Sequence, residues 1–76
     1  MKSVEIRLST IADVQEFVSI VARSPLDIDL ISGRYVVDAK SIMGIFSLDL
    51  LKPIQLQVHG GDTEELFADL DRFIIK

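Results

Sequence analysis

The sequence predicts an α+β fold, in which a four-stranded antiparallel sheet carries three helices on one face and meets solvent on the other. Four short segments alternate apolar and polar residues, which is the two-residue period of a strand with one buried face. Three further segments show helical apolar spacing or follow a helix-capping residue. Because the order is β-α-β-β-α-β-α and every strand alternates, the sheet is expected to be antiparallel and open on one side.

The first strand is predicted over residues 4–8, and the first helix follows it directly. Ser9 or Thr10 can cap a helix that begins near Ile11, and the Ser24-Pro25 pair ends it because proline cannot continue the hydrogen-bond ladder. The predicted apolar stripe of this helix consists of Ile11, Val14, Phe17, Val18, Ile20 and Val21.

A hairpin and a short helix form the middle of the chain. Residues 26–30 alternate as a second strand, residues 32–34 are predicted to turn, and residues 35–39 form the third strand. A short helix is expected over residues 41–49, with Ser41 as its N-cap.

The last third of the chain predicts one strand and one helix. Pro53 opens the fourth strand, and Gly60-Gly61 turns the chain after it. Asp62 is expected to cap the last helix, with Glu65 completing a capping box. The strand side chains expected to face inward and the apolar stripe of the helix are Ile54, Leu56, Val58, Leu66, Leu70, Phe73 and Ile74.

Length and composition limit the class of function. The 76 residues predict a single domain, residues 1–76, and the absence of cysteine leaves neither a disulfide nor a thiolate metal site. A net charge of −4 disfavours direct binding to nucleic acid. The apolar runs are too short to span a membrane and the N-terminus has no signal-peptide pattern, so a cytoplasmic protein is expected.

Side chains that carry catalysis are scarce. His59 is the single histidine, and we expect it to be a solvated residue on the polar face of the fourth strand. Metal ligands and catalytic groups occur in convergent clusters, and none is visible. We therefore predict no enzyme activity, no cofactor and no metal, and expect the chain to act by binding a protein partner.

The short helix has an unusual distribution of apolar residues. Its apolar side chains cover well over half of the helix circumference, and they are Ile42, Met43, Ile45, Phe46 and Leu48. A helix that lies on a sheet buries only about half of its surface, so part of this set is expected to form an exposed contact surface. Deeper packing of the helix is the alternative.

Residues 37–48, Val-Asp-Ala-Lys-Ser-Ile-Met-Gly-Ile-Phe-Ser-Leu, resemble the regulatory-serine segment of HPr, the phosphocarrier of the bacterial phosphoenolpyruvate:sugar phosphotransferase system (PTS). The resemblance implies the HPr-type open-faced sandwich along the whole chain. HPr proteins carry a phosphorylated histidine in a His-Ala-Arg-Pro motif before the first helix. Here an ungapped register places Thr10 at the histidine, Ala12 at the arginine and Asp13 at the proline, so the phosphocarrier position is vacant and the alignment of loop 8–13 stays open.

Ser41 matches the serine that HPr kinase phosphorylates in HPr proteins of Gram-positive type. The resemblance implies a module without histidine phosphocarrier activity, similar in this to the catabolite-repression paralogue of HPr, with Ser41 as its regulatory phosphorylation site. The implied partners are a carbon-catabolite transcription regulator, HPr kinase or a PTS component. The predicted partner-binding residues are Ile42, Ile45, Phe46 and Leu48. Three alternatives stay open: Ser41 as a helix cap only, a divergent phosphocarrier, and an HPr-fold module with an unrelated binding role.

Overall fold

A computed structural model describes residues 2–75 of the chain. The single domain was predicted over residues 1–76, and its first and last residues lie outside the described residues. All strand pairs are antiparallel, in the sheet order β1-β4-β2-β3. The predicted α+β class and the element order β-α-β-β-α-β-α are confirmed. The elements are β1 (Lys2–Ile6), α1 (Ile11–Ala22), β2 (Asp27–Ser32), β3 (Tyr35–Asp38), α2 (Ile42–Phe46), β4 (Ile54–His59), α3 (Glu64–Asp69) and a terminal 3-10 turn (Asp71–Phe73).

The core lies between the sheet and the helices. Strand β4 shows the predicted alternation, because its three apolar side chains are buried and the polar ones between them are not. In α1, Phe17 is fully buried and its ring meets that of Phe73 edge to face, with 6.0 Å between centroids. Ile11 was expected in the apolar stripe of α1 but is 66% exposed at the first position of the helix.

Helix α2 ends earlier than predicted. The expected helix over residues 41–49 stops at Phe46, and Ser47 is its C-cap. After Phe46 the α-helical bonds give way to bonds of three-residue spacing, because Ser47 donates its N–H to Gly44 at 3.1 Å and Leu48 donates to Ile45 at 3.0 Å. Beyond them the Asp49 carboxylate accepts the backbone N–H of Leu51 at 3.0 Å and stabilises a turn.

The start of α3 also differs from the prediction. Thr63, not Asp62, is the N-cap residue, and within residues 2–75 its buried hydroxyl has no hydrogen-bond partner. Asp62 accepts the backbone N–H of Glu64 at 3.0 Å, so the predicted capping box with Glu65 is wrong. The preceding glycines adopt left-handed φ angles of 75° and 73°, and this turn delays the helix by one residue.

The C-terminal segment pairs with the outer edge of β1. Arg7 donates its backbone N–H to Phe73 at 2.9 Å, and Ile75 donates to Glu5 at the same distance. This pairing brings Arg72 to the start of α1. No helix within the described residues is long and apolar enough to cross a membrane.

Candidate functional site

The connection from β1 to α1 contains Thr10, which the sequence resemblance predicts to stand at the phosphocarrier histidine. Thr10 is the N-cap of α1, as the sequence allowed, and its Oγ1 accepts the backbone N–H of Asp13 at 3.0 Å. Its hydroxyl therefore serves the helix end, where N–H groups lack partners inside the helix.

Asp13 fills the electropositive end of α1 with a carboxylate. Its Oδ2 accepts the backbone N–H of Ser9 at 3.1 Å, and its Oδ1 lies 3.4 Å from Arg72 Nη2. Arg72 also contacts Glu16 at 2.5 Å, and its guanidinium lies 4.3 Å from the centroid of the Phe73 ring. A helix N-terminus attracts anions. Here the protein's own Asp13 carboxylate occupies that position, and Arg72 offsets its charge.

His59 lies at the opposite end of the sheet from Thr10. Lys2 pairs with Val58, so the end of β4 lies beside the start of β1 and far from the β1–α1 connection. The expectation that His59 is exposed on the polar face is met, but its ring is bound rather than merely solvated: Nε2 lies 2.9 Å from Asp29 Oδ2. Asp27 pairs with His59 across the sheet, which makes this end acidic.

Ser41 stands exposed at the start of α2. The predicted N-cap is confirmed, because the Ser41 hydroxyl accepts the backbone N–H of Gly44 at 3.2 Å. An added Cβ at Gly44 would lie 3.3 Å from Val37 Cβ, so glycine here allows α2 to approach β3 closely. Lys40 donates from Nζ to the Ser24 carbonyl at 2.8 Å and fixes the chain just before Ser41.

The apolar side chains of α2 divide between core and surface. Ile45 is fully buried and Leu48 is 7% exposed, so the prediction that these two contact a partner is wrong. They lie three residues apart on the face that packs against the sheet. Ile42 is half-buried and Phe46 is 41% exposed.

Met43 was missed as a surface residue, although it is 77% exposed. Met43 lies three residues before Phe46, and this spacing places the two side chains on the same face of α2. Spacing alone does not show which of the two apolar faces of the helix packs against the sheet. We call Ile42, Met43 and Phe46, with Ser41, the α2 surface.

Within residues 2–75, no group of three or more His, Asp or Glu side chains is arranged to hold a metal ion.

The comparisons with known proteins agree on one family. The family model described as "PTS HPr component phosphorylation site" matches residues 13–76, and this match begins after Thr10. HPr-C-His from Thermoanaerobacter tengcongensis superposes with a TM-score of 0.80 at 29% identity, covering 95% of this chain and 89% of that one. The phosphocarrier protein HPr from Bacillus anthracis gives 0.75 at 26% identity, covering 97% and 96%.

A histidine-containing phosphocarrier protein of Mycoplasma, at 17% identity, shares the fold with a TM-score of 0.71, covering 93% of this chain and 86% of that one. No curated protein matches the sequence significantly.

Proposed function

The chain belongs to the HPr family, and we propose that it is a cytoplasmic, protein-binding regulatory module of the PTS. In this proposal it carries no phosphoryl group on histidine and catalyses no reaction itself. The observation that carries the proposal is the occupied N-terminus of α1. Thr10 stands at the N-cap, and the Asp13 carboxylate holds the place where an incoming phosphoryl group would need positive charge.

Electrostatics supports the loss of the carrier reaction. Two like unit charges about 4 Å apart repel by about 1 kcal/mol in water and by about 4 kcal/mol near a protein surface. A phosphoryl group delivered beside Asp13 would meet this repulsion, and Arg72 is already shared between Asp13 and Glu16. The single histidine lies at the other end of the sheet, in an acidic environment.

Ser41 is proposed as the switch. It is exposed, and a phosphate there would add close to two negative charges at a helix N-terminus, where free N–H groups and the helix dipole favour an anion. Phosphorylation would therefore leave α2 folded and place a new charge beside the exposed Met43 and Phe46. A partner such as a carbon-catabolite transcription regulator could read this charge with an arginine and the apolar side chains with a pocket.

The switch is tested with HPr kinase and ATP, followed by the intact mass of the protein. We expect one added phosphate on the wild type and none on Ser41→Ala. Ser47→Ala is the matched control, because Ser47 is an exposed serine at the other end of the same helix. Labelling that survives Ser41→Ala, or a wild type that stays unmodified beside a labelled HPr, would refute the switch.

The partner surface is tested by titrating the phosphorylated protein with a carbon-catabolite transcription regulator. We expect Phe46→Ala to weaken binding at least about tenfold, as truncation of a buried aromatic contact does. Ile75→Ala is the control, since Ile75 is also 41% exposed but lies beside β1. Binding that ignores both the phosphate and Phe46→Ala would point to an HPr-fold module with another role.

A further inference from the structure

We propose that two copies of this chain pair through the outer edges of their β3 strands and so form one continuous antiparallel sheet. Among residues 2–75, β3 pairs only with β2, and it lies at the edge of the sheet. The other edge strand, β1, is covered at Ile6 by Ile74 of the C-terminal segment. Strand β3 contains neither the lysine nor the proline that commonly protects an edge from pairing.

The backbone of β3 alternates between groups that face β2 and groups that face outward. The two-residue turn at Gly33-Arg34 makes Ser32 and Tyr35 the closing pair of the hairpin, and Ala39 donates its N–H to Ile28 at 2.9 Å. Hydrogen bonds to β2 thus come from every second residue, which are 35, 37 and 39. The N–H and C=O groups of Val36 and the N–H group of Asp38 consequently point away from the sheet.

These outward groups are compatible with a two-fold symmetric register. Antiparallel self-pairing with Val36 opposite Val36 of a second copy matches outward groups with outward groups at every position. It also places Arg34 opposite the second copy's Asp38, and this occurs twice because the pairing is two-fold symmetric. Opposite charges directly across an antiparallel pair stabilise it.

Neighbouring registers lack this complementarity. If the second copy slides by two residues along β3, Arg34 lies opposite Val36 for a slide in one direction. For a slide in the other direction, Val36 lies opposite Asp38. An intermediate shift would place outward groups against inward ones, so no hydrogen bonds could form. The backbone pattern therefore allows only shifts by an even number of residues, and among these the Arg34–Asp38 charge pairs favour the register with Val36 opposite Val36.

The pairing would also cover apolar surface. Tyr35 is 65% exposed and Val36 is 61% exposed, on opposite faces of the edge strand, so pairing along this edge would cover part of both side chains. In the proposed register each Tyr35 lies opposite Val37 of the second copy. Within each copy, Val37 packs close to Gly44 of α2. The interface is small and each copy carries a net charge of −4, so we expect a dissociation constant on the order of 0.1 mM.

Sedimentation velocity from about 10 µM to about 1 mM tests the pairing. The apparent mass is expected to rise from 8.5 kDa toward twice that value. Arg34→Glu and Asp38→Lys should each raise the dissociation constant at least about tenfold, because two attractive cross-strand pairs become repulsive. An equimolar mixture of these two variants should form dimers again, since both pairs are then of opposite charge.

Arg23→Glu is the matched control, because it makes the same charge change at the exposed C-terminal end of α1 and should leave dimerisation unchanged. Circular dichroism melting checks that each variant is folded, and Val36→Lys provides a second disruption that keeps both charged residues. A protein that stays monomeric over the whole concentration range overturns the proposal. The β3 edge would then be free to pair with a strand of another protein. A dimer that Arg23→Glu weakens equally, or that Val36→Lys or unmixed Arg34→Glu leaves intact, also overturns it.

Discussion

Replacing Asp13 with alanine should destabilise the protein by about 1–2 kcal/mol. The change removes the hydrogen bond from the Ser9 N–H, the favourable interaction with the dipole of α1 and the contact with Arg72. A hydrogen bond to a charged group contributes about 1.5–3 kcal/mol when well shielded, and the dipole interaction about 0.3–1 kcal/mol. Partial exposure of the carboxylate and the higher helix propensity of alanine reduce the net effect.

Glu16→Ala is the matched control. Glu16 also contacts Arg72, but both side chains are more than half exposed, and surface ion pairs of this kind contribute about 0–1 kcal/mol. We therefore expect a loss below about 0.5 kcal/mol for Glu16→Ala.

Urea denaturation followed by circular dichroism measures both variants. For a domain of this size, the loss expected for Asp13→Ala corresponds to a fall in Tm of about 5–15 °C. Equal losses for the two variants, or a loss below about 0.5 kcal/mol for Asp13→Ala, would refute the idea that Asp13 satisfies the start of α1.

Three further predictions concern the fold and the cap of α2. Gly61→Ala should cost about 2 kcal/mol or more, because φ is 73° and an added Cβ would meet the side chain of Leu26; Gly60→Ala, at φ 75° in open space, should cost about 1 kcal/mol in the same urea titration. Phe17→Ala should cost about 3–5 kcal/mol, which leaves little of a total stability of about 4–11 kcal/mol, and a non-cooperative melt would show this. Ser41→Ala should lower stability by about 1 kcal/mol through loss of the cap, and an unchanged Tm would contradict the capping role.

The strands and their order were predictable because alternation is a local signal. Strands β2 and β4 each have one buried face, and in β4 the alternation of Ile54, Leu56 and Val58 with polar residues shows which way the strand faces. The caps at Thr10 and Ser41 were predictable for the same reason, since the donor and acceptor lie three residues apart.

The orientation of α2 was not predictable from its sequence, because apolar residues surround the helix on most sides. Only contact with the sheet determines that Ile45 is buried and Met43 is exposed. The charge network at the start of α1 was equally hidden, because Arg72 and Asp13 lie 59 residues apart along the chain. The pairing of the C-terminal segment with β1 brings Arg72 and Asp13 together, and no local sequence pattern predicts this pairing.

One measurement tests most directly the proposed loss of the carrier reaction in this HPr family member. The protein is incubated with enzyme I and phosphoenolpyruvate, and its intact mass is compared with that of a histidine-containing HPr treated in the same tube. We expect the HPr to gain one phosphate and this chain to keep its mass, because Asp13 occupies the anion position beside Thr10. A phosphate gained by this chain, whether mapped to Thr10 or to His59, would contradict the claim.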